Sequence, residues 1–316
     1  MSIVCVGNAI CDLLASVPAG FVEQVGLTPG SMNLIDAERA NELRSKIEVD
    51  KVDAGGSAAN TAFGIASFGG KATFTGRIAD DEYGKLYMDS LASAGVRYAG
   101  GVADTDESTG TSVILIEPGG QRTMNTNLGA ANLFSPADIT SDLLADVEMI
   151  YVELYLWDQP TAREAITQIV TQTKAVGVSV ALSLSDVFCI ERHSESVLEL
   201  IRDSVDIAFG NTGEWDYLLG LEPGLTHTDL VDTAWITKGP SGAQVITSSD
   251  NLDVAAVQVA SVIDTTGAGD QFAAGVLYGT VSGLSLAESG RLGSEAAAEV
   301  ISHIGPRPQK KFSEFL

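Results

Sequence analysis

Positive charge, cysteine and histidine are all scarce in this chain of 316 residues. It has 18 lysines and arginines against 42 aspartates and glutamates, which gives a formal net charge of −24. Proteins that bind nucleic acid or an anionic membrane need a basic face, so we expect neither partner. The three cysteines (Cys5, Cys11 and Cys189) lack metal-ligand spacing and suit buried thiols in a reducing cytosol. The three histidines are scattered, which argues against a zinc site.

Long apolar runs and the common nucleotide-binding signatures are also missing. No apolar run reaches the roughly 18 residues that a membrane-spanning helix needs. No basic leader precedes the strand-like run at 3–6, so we expect a cytoplasmic protein. The chain has no G-x-x-x-x-G-K-[ST] loop, and Phe272 stands where a dinucleotide fingerprint begun by Gly267 and Gly269 needs its third glycine. We therefore expect neither a P-loop enzyme nor a Rossmann dehydrogenase.

The pattern that is present is typical of an α/β fold. From about residue 140, strands predicted at 149–154, 178–184, 205–209, 234–237 and 243–247 alternate with helices near 160–175, 194–202 and 213–219. Alternation of this kind favours a mostly parallel, doubly wound sheet with helices on both faces. The length allows one catalytic α/β domain spanning 1–316.

A hairpin interrupts this pattern in the first half of the chain. Residues 111–117 are mostly β-branched, Pro118-Gly119-Gly120 indicates a turn, and residues 122–128 return as a second strand. Short strands predicted at 13–17 and 31–35 can join this hairpin. We therefore expect a small discontinuous β-sheet, built from parts of 12–54 and 108–128, that serves as a lid.

The stretch from residue 257 to residue 278 carries the strongest chemical signal. Residues 257–263 are predicted to form a buried strand, and an apolar run from Phe272 starts a helix. The N–H groups of Gly267, Ala268 and Gly269 then point out of a helix N-terminus, which is a site for an anion. Asp270 lies in the same turn and is suited to take a proton from a hydroxyl that attacks a phosphoryl group. The alternative is an acidic residue that only stabilises the helix dipole.

A second glycine turn, at Gly55 and Gly56, leads into another predicted helix through Ser57 and Asn60. Asp12 and Asn60 each lie beside a glycine turn, and both can hydrogen-bond to vicinal hydroxyls of a sugar. We therefore predict a substrate site there.

Three further features have a functional and an ordinary interpretation. Asn211 and Glu214 follow a strand: the glutamate can hold Mg²⁺ through water, or the pair is a helix cap. Arg122 at the hairpin can reach a phosphate, or is a solvated charge. The third feature is the segment that contains Thr237, Lys238, Gly239 and Gly242. It either contacts a nucleotide or forms an ordinary turn.

Taken together, these motifs resemble those of the PfkB (ribokinase-like) carbohydrate kinases. The segment 264–270 resembles that family's C-terminal signature, 55–60 its N-terminal signature, and Asn211 with Glu214 its N-x-x-E motif. Within the family the chain is most similar to the adenosine kinases, on the segments 7–14, 125–132 and 205–211. A Leu-Ser run at 184–185 stands where many sugar kinases have Asp-Pro-Asn.

The resemblance implies ATP-dependent phosphorylation of the 5′-hydroxyl of a nucleoside, with adenosine giving AMP in purine salvage. It implies Asp270 as the base, Asp12, Asn60 and Gly56 at the ribose hydroxyls, and Mg²⁺ near Glu214. It also implies K⁺ near Asp264 and Thr266, as in many relatives, and a monomer or homodimer. Two alternatives stay open: a kinase of another nucleoside or of a free sugar such as ribose or fructose, and a non-catalytic nucleoside-binding protein.

Overall fold

A computed structural model describes residues 2–316, which form sixteen strands and ten α-helices. The strands are β1 (Ser2–Val6), β2 (Ile10–Ser16), β3 (Met32–Leu34), β4 (Lys51–Gly55), β5 (Lys71–Thr75), β6 (Arg77–Ala79), β7 (Arg97–Tyr98), β8 (Gly101–Ala103), β9 (Gly110–Ile116), β10 (Arg122–Asn127), β11 (Met149–Glu153), β12 (Ser179–Ser183), β13 (Ile207–Asn211), β14 (Thr233–Thr237), β15 (Ala243–Ile246) and β16 (Asn251–Val254). The helices are α1 (Phe21–Gln24), α2 (Ala37–Arg44), α3 (Ser57–Ser67), α4 (Glu82–Ser93), α5 (Pro160–Ala175), α6 (Val187–Arg192), α7 (Ser194–Ser204), α8 (Thr212–Leu219), α9 (Ala268–Val281) and α10 (Leu286–Val300).

The main sheet has nine strands in the order β16-β15-β14-β13-β12-β11-β1-β5-β7. The seven strands from β14 to β7 in this order are parallel, and β15 and β16 extend the edge in antiparallel pairing. From β11 to β14, successive strands of the parallel part are joined by helices, as the alternating pattern predicts. The expected mostly parallel α/β fold is therefore confirmed.

Both faces of the main sheet are buried, which explains why its central strands are almost continuously apolar. In β1, Ile3 and Cys5 point into one core with α3 and α9, whereas Val4 and Val6 point into the other with α5 and α7. Because side chains alternate along a strand, one apolar run supplies both cores. Helices therefore cover both faces, and the carboxyl ends of the parallel strands meet along one edge.

The predicted hairpin forms as expected and belongs to a separate five-stranded sheet. β10 pairs antiparallel with β9, Arg122 lying opposite Ile116 next to the turn. The strand order is β3-β10-β9-β2-β4, so the sheet collects segments from residues 10–55 and 110–127. We call it the small sheet.

The predicted buried strand at 257–263 is wrong. These residues form no strand, and Val262 and Ile263 are 59% and 47% exposed. The main sheet ends at β16, and residues 257–263 do not pair with its open edge. They are held instead at the end of α10, where the Ile263 N–H donates to the carbonyl of Ile301 at 2.8 Å. β-branched residues favour a strand only where a partner is available.

Candidate active site

Asp270 lies in the first turn of α9, against the N-terminal turn of α3. Its carboxylate accepts hydrogen bonds from the Ser57 hydroxyl at 2.6 Å and from Asn60 Nδ2 at 2.9 Å. Burial raises the pKa of Asp270 to about 6 from its ordinary value of 3.8, although these two hydrogen bonds lower it. A carboxylate of fixed orientation and near-neutral pKa is suited to accept a proton.

Small side chains bring α3 and α9 close enough for these hydrogen bonds. A Cβ atom on Gly64 would overlap Gln271 Oε1 and lie 2.5 Å from the Cβ of Ala274. Gln271 is buried, and its Nε2 donates to the carbonyls of Asn60 and Pro306 at 2.9 Å each. The two helices are therefore fixed to each other at the level of Asp270.

The backbone before Asp270 turns through Gly267, whose φ of 77° lies in the left-handed region that favours glycine. Within residues 2–316, the N–H groups of Gly267 and Gly269 meet no hydrogen-bond acceptor. The Ala268 N–H, expected to point out with them, donates instead to the carbonyl of Thr265 at 3.2 Å. This helix N-terminus therefore presents the donors of the two glycines to an anion, and not that of the alanine.

The other glycine turn sets the position of Asp12. A Cβ atom on Gly56, which has a φ of 93°, would overlap the Asn8 carbonyl oxygen, and one on Gly55 would overlap the Asp12 carboxylate. Burial raises the pKa of Asp12 to about 7, and the nearby charge of Arg307 opposes this rise. The two glycines therefore leave room for a buried carboxylate beside the start of α3.

Asn60 has one amide atom without a partner. Its Nδ2 is bonded to Asp270, but its buried Oδ1 has no hydrogen-bond partner within residues 2–316. Buried polar atoms are nearly always paired in folded proteins. This atom is closed to solvent, so a donor reaches it only when the Asn60 side chain shifts.

Arg122 joins the small sheet to the segment before α9. Its Nη2 lies 2.6 Å from Asp264 Oδ2, and its Nη1 donates to the Thr266 hydroxyl at 3.4 Å. The side chains of Arg122 and Asp264 are only 11% and 3% exposed. The sequence allowed Arg122 to be a solvated charge, and its burial in this ion pair excludes that alternative.

The donor set around Asp264 does not fit a metal ion. Its carboxylate also accepts the N–H and hydroxyl of Thr266 at 3.0 and 2.8 Å, and the Gly305 N–H at 2.8 Å. The guanidinium of Arg122 already neutralises its charge. The expectation of a cation at this carboxylate is therefore not supported by its contacts.

Asn211 and Glu214 form a reciprocal cap at the start of α8. Glu214 accepts the Asn211 N–H at 2.8 Å and its Nδ2 at 2.6 Å, and the Glu214 N–H donates to Asn211 Oδ1 at 3.0 Å. Burial raises the pKa of Glu214 to about 7. The cap leaves lone pairs of the Glu214 carboxylate unused, since each carboxylate oxygen has two. One carboxylate beside space for water fits Mg²⁺, which retains several waters when bound.

The glycine loop after β14 is only partly at the site. Thr237 lines the cavity described next, whereas Lys238 is turned to Asp253, with Nζ 3.2 Å from Oδ1. Gly239 and Gly242 both have positive φ, at 56° and 89°, and form the turn into β15. A direct phosphate contact by Lys238 would require it to leave Asp253.

One cavity of about 580 Å³ connects these features at the carboxyl edge of the main sheet and under the small sheet. The predicted residues that line it are Asp12, Gly56, Ser57, Asn60, Asn211, Glu214, Thr237, Thr266, Gly267, Gly269 and Asp270. Those that do not are Gly55, Arg122, Lys238, Gly239, Gly242, Asp264 and Ala268. Ligands of open α/β sheets bind at this edge, so the cavity is the candidate active site.

The sequence analysis missed Glu153 at the end of β11. Its side chain is 1% exposed and accepts the Asn8 N–H at 2.8 Å, Asn8 Nδ2 at 3.1 Å and the Ala58 N–H at 2.7 Å. Burial raises its pKa to about 7. Glu153 thus ties the end of β1 to the start of α3. An acidic residue directly after the apolar run 149–152 was the available signal.

The sequence analysis also missed an aromatic wall of the cavity, formed by Tyr155 and Phe188. Their ring centroids are 5.9 Å apart. The Tyr155 hydroxyl donates to the carbonyl of Ser185 at 3.2 Å, and Ser185 Oγ accepts the Leu154 N–H at 2.9 Å. Ser185 has a φ of 66°, which is rare for a residue with a side chain. The wall is therefore held in one conformation by contacts between two strand ends.

The sequence matches the family described as pfkB family carbohydrate kinase over residues 21–311. The chain belongs to this family. A pfkB kinase transfers a phosphoryl group to an alcohol, so the protein is a phosphotransferase with an alcohol acceptor.

The curated relatives of this pfkB kinase differ in acceptor. It is 30% identical over 264 residues to a 5-dehydro-2-deoxygluconokinase of Lacticaseibacillus casei, covering 79% of this chain and 81% of the relative. It is 26% identical over 339 residues to the adenosine kinase of Saccharomyces cerevisiae, covering 98% of both chains.

Two solved structures share the fold over almost the full length. An adenosine kinase from Sinorhizobium meliloti has a TM-score of 0.91 and 37% identity, covering 99% of this chain and 98% of its own. A protein described as a probable sugar kinase from Rhizobium etli CFN 42 has the same TM-score and identity, covering 99% and 97%.

Proposed function

We propose that this pfkB kinase transfers the γ-phosphoryl group of ATP to the 5′-hydroxyl of a nucleoside, with adenosine as the preferred acceptor in purine salvage. The observation that carries the proposal is the apolar part of the cavity. The small sheet contributes Ile10, Met32, Leu34, Ile114 and Met124 to it, and Tyr155 and Phe188 form the aromatic wall. A purine ring has two flat apolar faces to bury there, which is more apolar surface than the C–H face of a free sugar offers.

In the proposed reaction, Asp270 accepts the proton of the 5′-hydroxyl as its oxygen attacks phosphorus and the bond to ADP breaks. Ser57 and Asn60 hold the carboxylate in place for this transfer. The N–H groups of Gly267 and Gly269 donate to the oxygens of the transferred group, whose charge they stabilise. Asp12, Gly56 and Asn60 bind the ribose hydroxyls.

The phosphates of ATP would lie between the start of α9 and the Asn211–Glu214 cap, with Thr237, Lys238, Gly239 and Gly242 near the rest of the nucleotide. Bound Mg²⁺ would neutralise charge on the phosphates. Glu214 is the residue that fits it, through water. When the nucleotide is present, Arg122 would leave Asp264 and bind a phosphate. Its contribution to catalysis would then exist only in the enzyme with bound nucleotide.

The gluconokinase relatives favour a second candidate, phosphorylation of a sugar acid. The charge of the cavity argues against it. Five carboxylates line the cavity, those of Asp12, Glu153, Asp158, Glu214 and Asp270, and its described lining contains no lysine, arginine or histidine. An anionic acceptor would find no cationic side chain in this lining to pair with.

A substrate panel tests the proposal. We expect kcat/KM with ATP and Mg²⁺ to be higher for adenosine than for ribose, fructose or gluconate. The kcat/KM values for inosine, guanosine and cytidine show how strongly the enzyme selects the base. A sugar or sugar acid as the best acceptor would overturn the nucleoside assignment. Binding of adenosine without turnover of any acceptor would leave a non-catalytic binding protein.

A further inference from the structure

Asp158 lines the same cavity as Tyr155 and Phe188, but the phosphoryl transfer described above does not use it. It ends a short 3₁₀-helix, Leu154–Asp158, that directly follows β11. Asp158 therefore belongs to the wall where the base of a nucleoside would lie, and its side chain is the polar acidic group of that wall.

Arg192, the last residue of α6, and His193, which follows it, fix the Asp158 carboxylate. Arg192 Nη1 donates to Oδ2 at 2.5 Å, and His193 Nε2 lies 2.9 Å from Oδ1. The Arg192 guanidinium also lies over the Phe188 ring, 4.9 Å from its centroid. The carboxylate is thus tied to the aromatic wall, and only 20% of its side chain is exposed.

Both oxygens of Asp158 can still accept a hydrogen bond. Each carboxylate oxygen has two lone pairs, and Arg192 and His193 use one each. A carboxylate has no proton to donate, so it pairs with an amino group and opposes a carbonyl. The 6-amino group of adenine is such a donor, whereas hypoxanthine has a carbonyl oxygen at the same ring position.

We propose that Asp158 is a specificity-determining residue that accepts a hydrogen bond from an exocyclic amino group of the nucleobase. This inference rests on the proposed nucleoside kinase function, and it names the feature of the base that the enzyme selects. The 6-aminopurine edge is the one that the preferred acceptor, adenosine, would present. Asp158 favours amino-bearing bases over their oxo counterparts.

The test compares adenosine with purine riboside, which lacks the amino group, and with inosine. For Asp158→Ala we expect kcat/KM for adenosine to fall about tenfold or more, the range for a hydrogen bond to a charged group, and that for purine riboside to change less than about threefold. For Asp158→Asn, whose amide can donate to a carbonyl, we expect the inosine-to-adenosine ratio of kcat/KM to rise about tenfold. Glu191→Gln, an exposed change on the same helix and outside the cavity lining, is the matched control and should alter none of these values.

Two results overturn the inference. Equal losses with adenosine and purine riboside would make Asp158 a support of the wall with no role in selection, and unchanged ratios in both variants would remove it from the site. Failure of the parent proposal looks different, because the unmodified enzyme would then phosphorylate a sugar better than any nucleoside. Thermal unfolding shows whether each variant is folded. If Asp158→Ala is not, Asp158→Asn gives the deciding comparison.

Discussion

At the scale of single residues, the pairing of Asp270 with Ser57 and Asn60 decides what the helix N-terminus can do. A carboxylate that only stabilised the helix dipole would have no need of two side-chain donors from another helix. The two donors orient it, while burial keeps its pKa higher than that of an exposed aspartate. Orientation and pKa are the two properties that a general base requires.

We predict that Asp270→Asn removes most activity and leaves the fold intact. Asparagine has nearly the same shape and can still accept the Ser57 hydroxyl, but it cannot take up a proton at neutral pH. The expected loss in kcat is about 10²–10⁴, the usual worth of general-base catalysis. Steady-state kinetics and thermal unfolding of the purified variant check this. A variant that melts several degrees lower yet keeps more than about a tenth of kcat would support the helix-dipole role instead.

The raised pKa of Asp270 predicts how activity depends on pH. The base acts when deprotonated, so kcat/KM should fall as the pH drops below about 6, by about tenfold per pH unit. Stability should move the other way: because folding raises this pKa, its contribution to stability is present below pH 3.8 and is lost as pH rises through about 6. A rate profile that stays flat down to pH 5 would contradict the assignment of Asp270 as the base.

At the scale of elements, the buried ion pair of Arg122 with Asp264 is one of the contacts that join the small sheet to the rest of the protein. This contact brings β10 against the segment that precedes α9. In the loaded enzyme we propose that Arg122 turns to a phosphate. The position of the small sheet is thereby coupled to the nucleotide, as expected of a lid that closes during turnover.

We predict that Arg122→Ala lowers kcat more than it raises KM for adenosine, since the phosphate contact forms late. It should also lower the free energy of unfolding by about 1–3 kcal/mol, because Asp264 loses a buried charged partner but keeps its three other donors. Arg202→Ala is a matched control. Its ion pair with Glu222 is about half exposed, at 40% and 49%, so its loss should cost at most about 1 kcal/mol.

Kinetics and thermal unfolding of both variants decide the point. Equal small losses of stability, together with an unchanged kcat for Arg122→Ala, would reduce Arg122 to an ordinary structural contact.

At the scale of the whole molecule, the net charge of −24 is spread over the chain. Among residues 2–316, no helix is long and apolar enough to cross a membrane. The acidic surface repels itself, whereas in the proposed reaction the anionic cosubstrate would be bound locally by backbone N–H groups, Arg122 and a metal. Excess charge of one sign destabilises a compact state through this repulsion.

We therefore predict that salt stabilises the protein. The melting temperature should rise by several degrees between about 50 and 500 mM NaCl, because the screening length shortens over that range. KCl at equal ionic strength should give the same curve. A rise specific to KCl would instead reveal a monovalent cation site, and a fall with both salts would mean that favourable ion pairs outweigh the repulsion.

The sequence alone determined the features that depend on local chain chemistry. The apolar run of β1 fits a strand buried on both faces, Pro118-Gly119-Gly120 produced the hairpin, and the glycines before Asp270 produced a helix N-terminus. Period, turn chemistry and capping act over a few residues, so a single sequence carries them. The order of these motifs along the chain was enough to indicate the pfkB family.

Tertiary structure decided everything that depends on which distant segments meet. Residues 257–263 form no strand and are held instead at the end of α10, where the Ile263 N–H donates to the carbonyl of Ile301. Arg122 found Asp264 across 142 positions of sequence, and the aromatic wall arose where the ends of β11 and β12 converge. Contacts of this range depend on how the chain packs in three dimensions, and that information is not local.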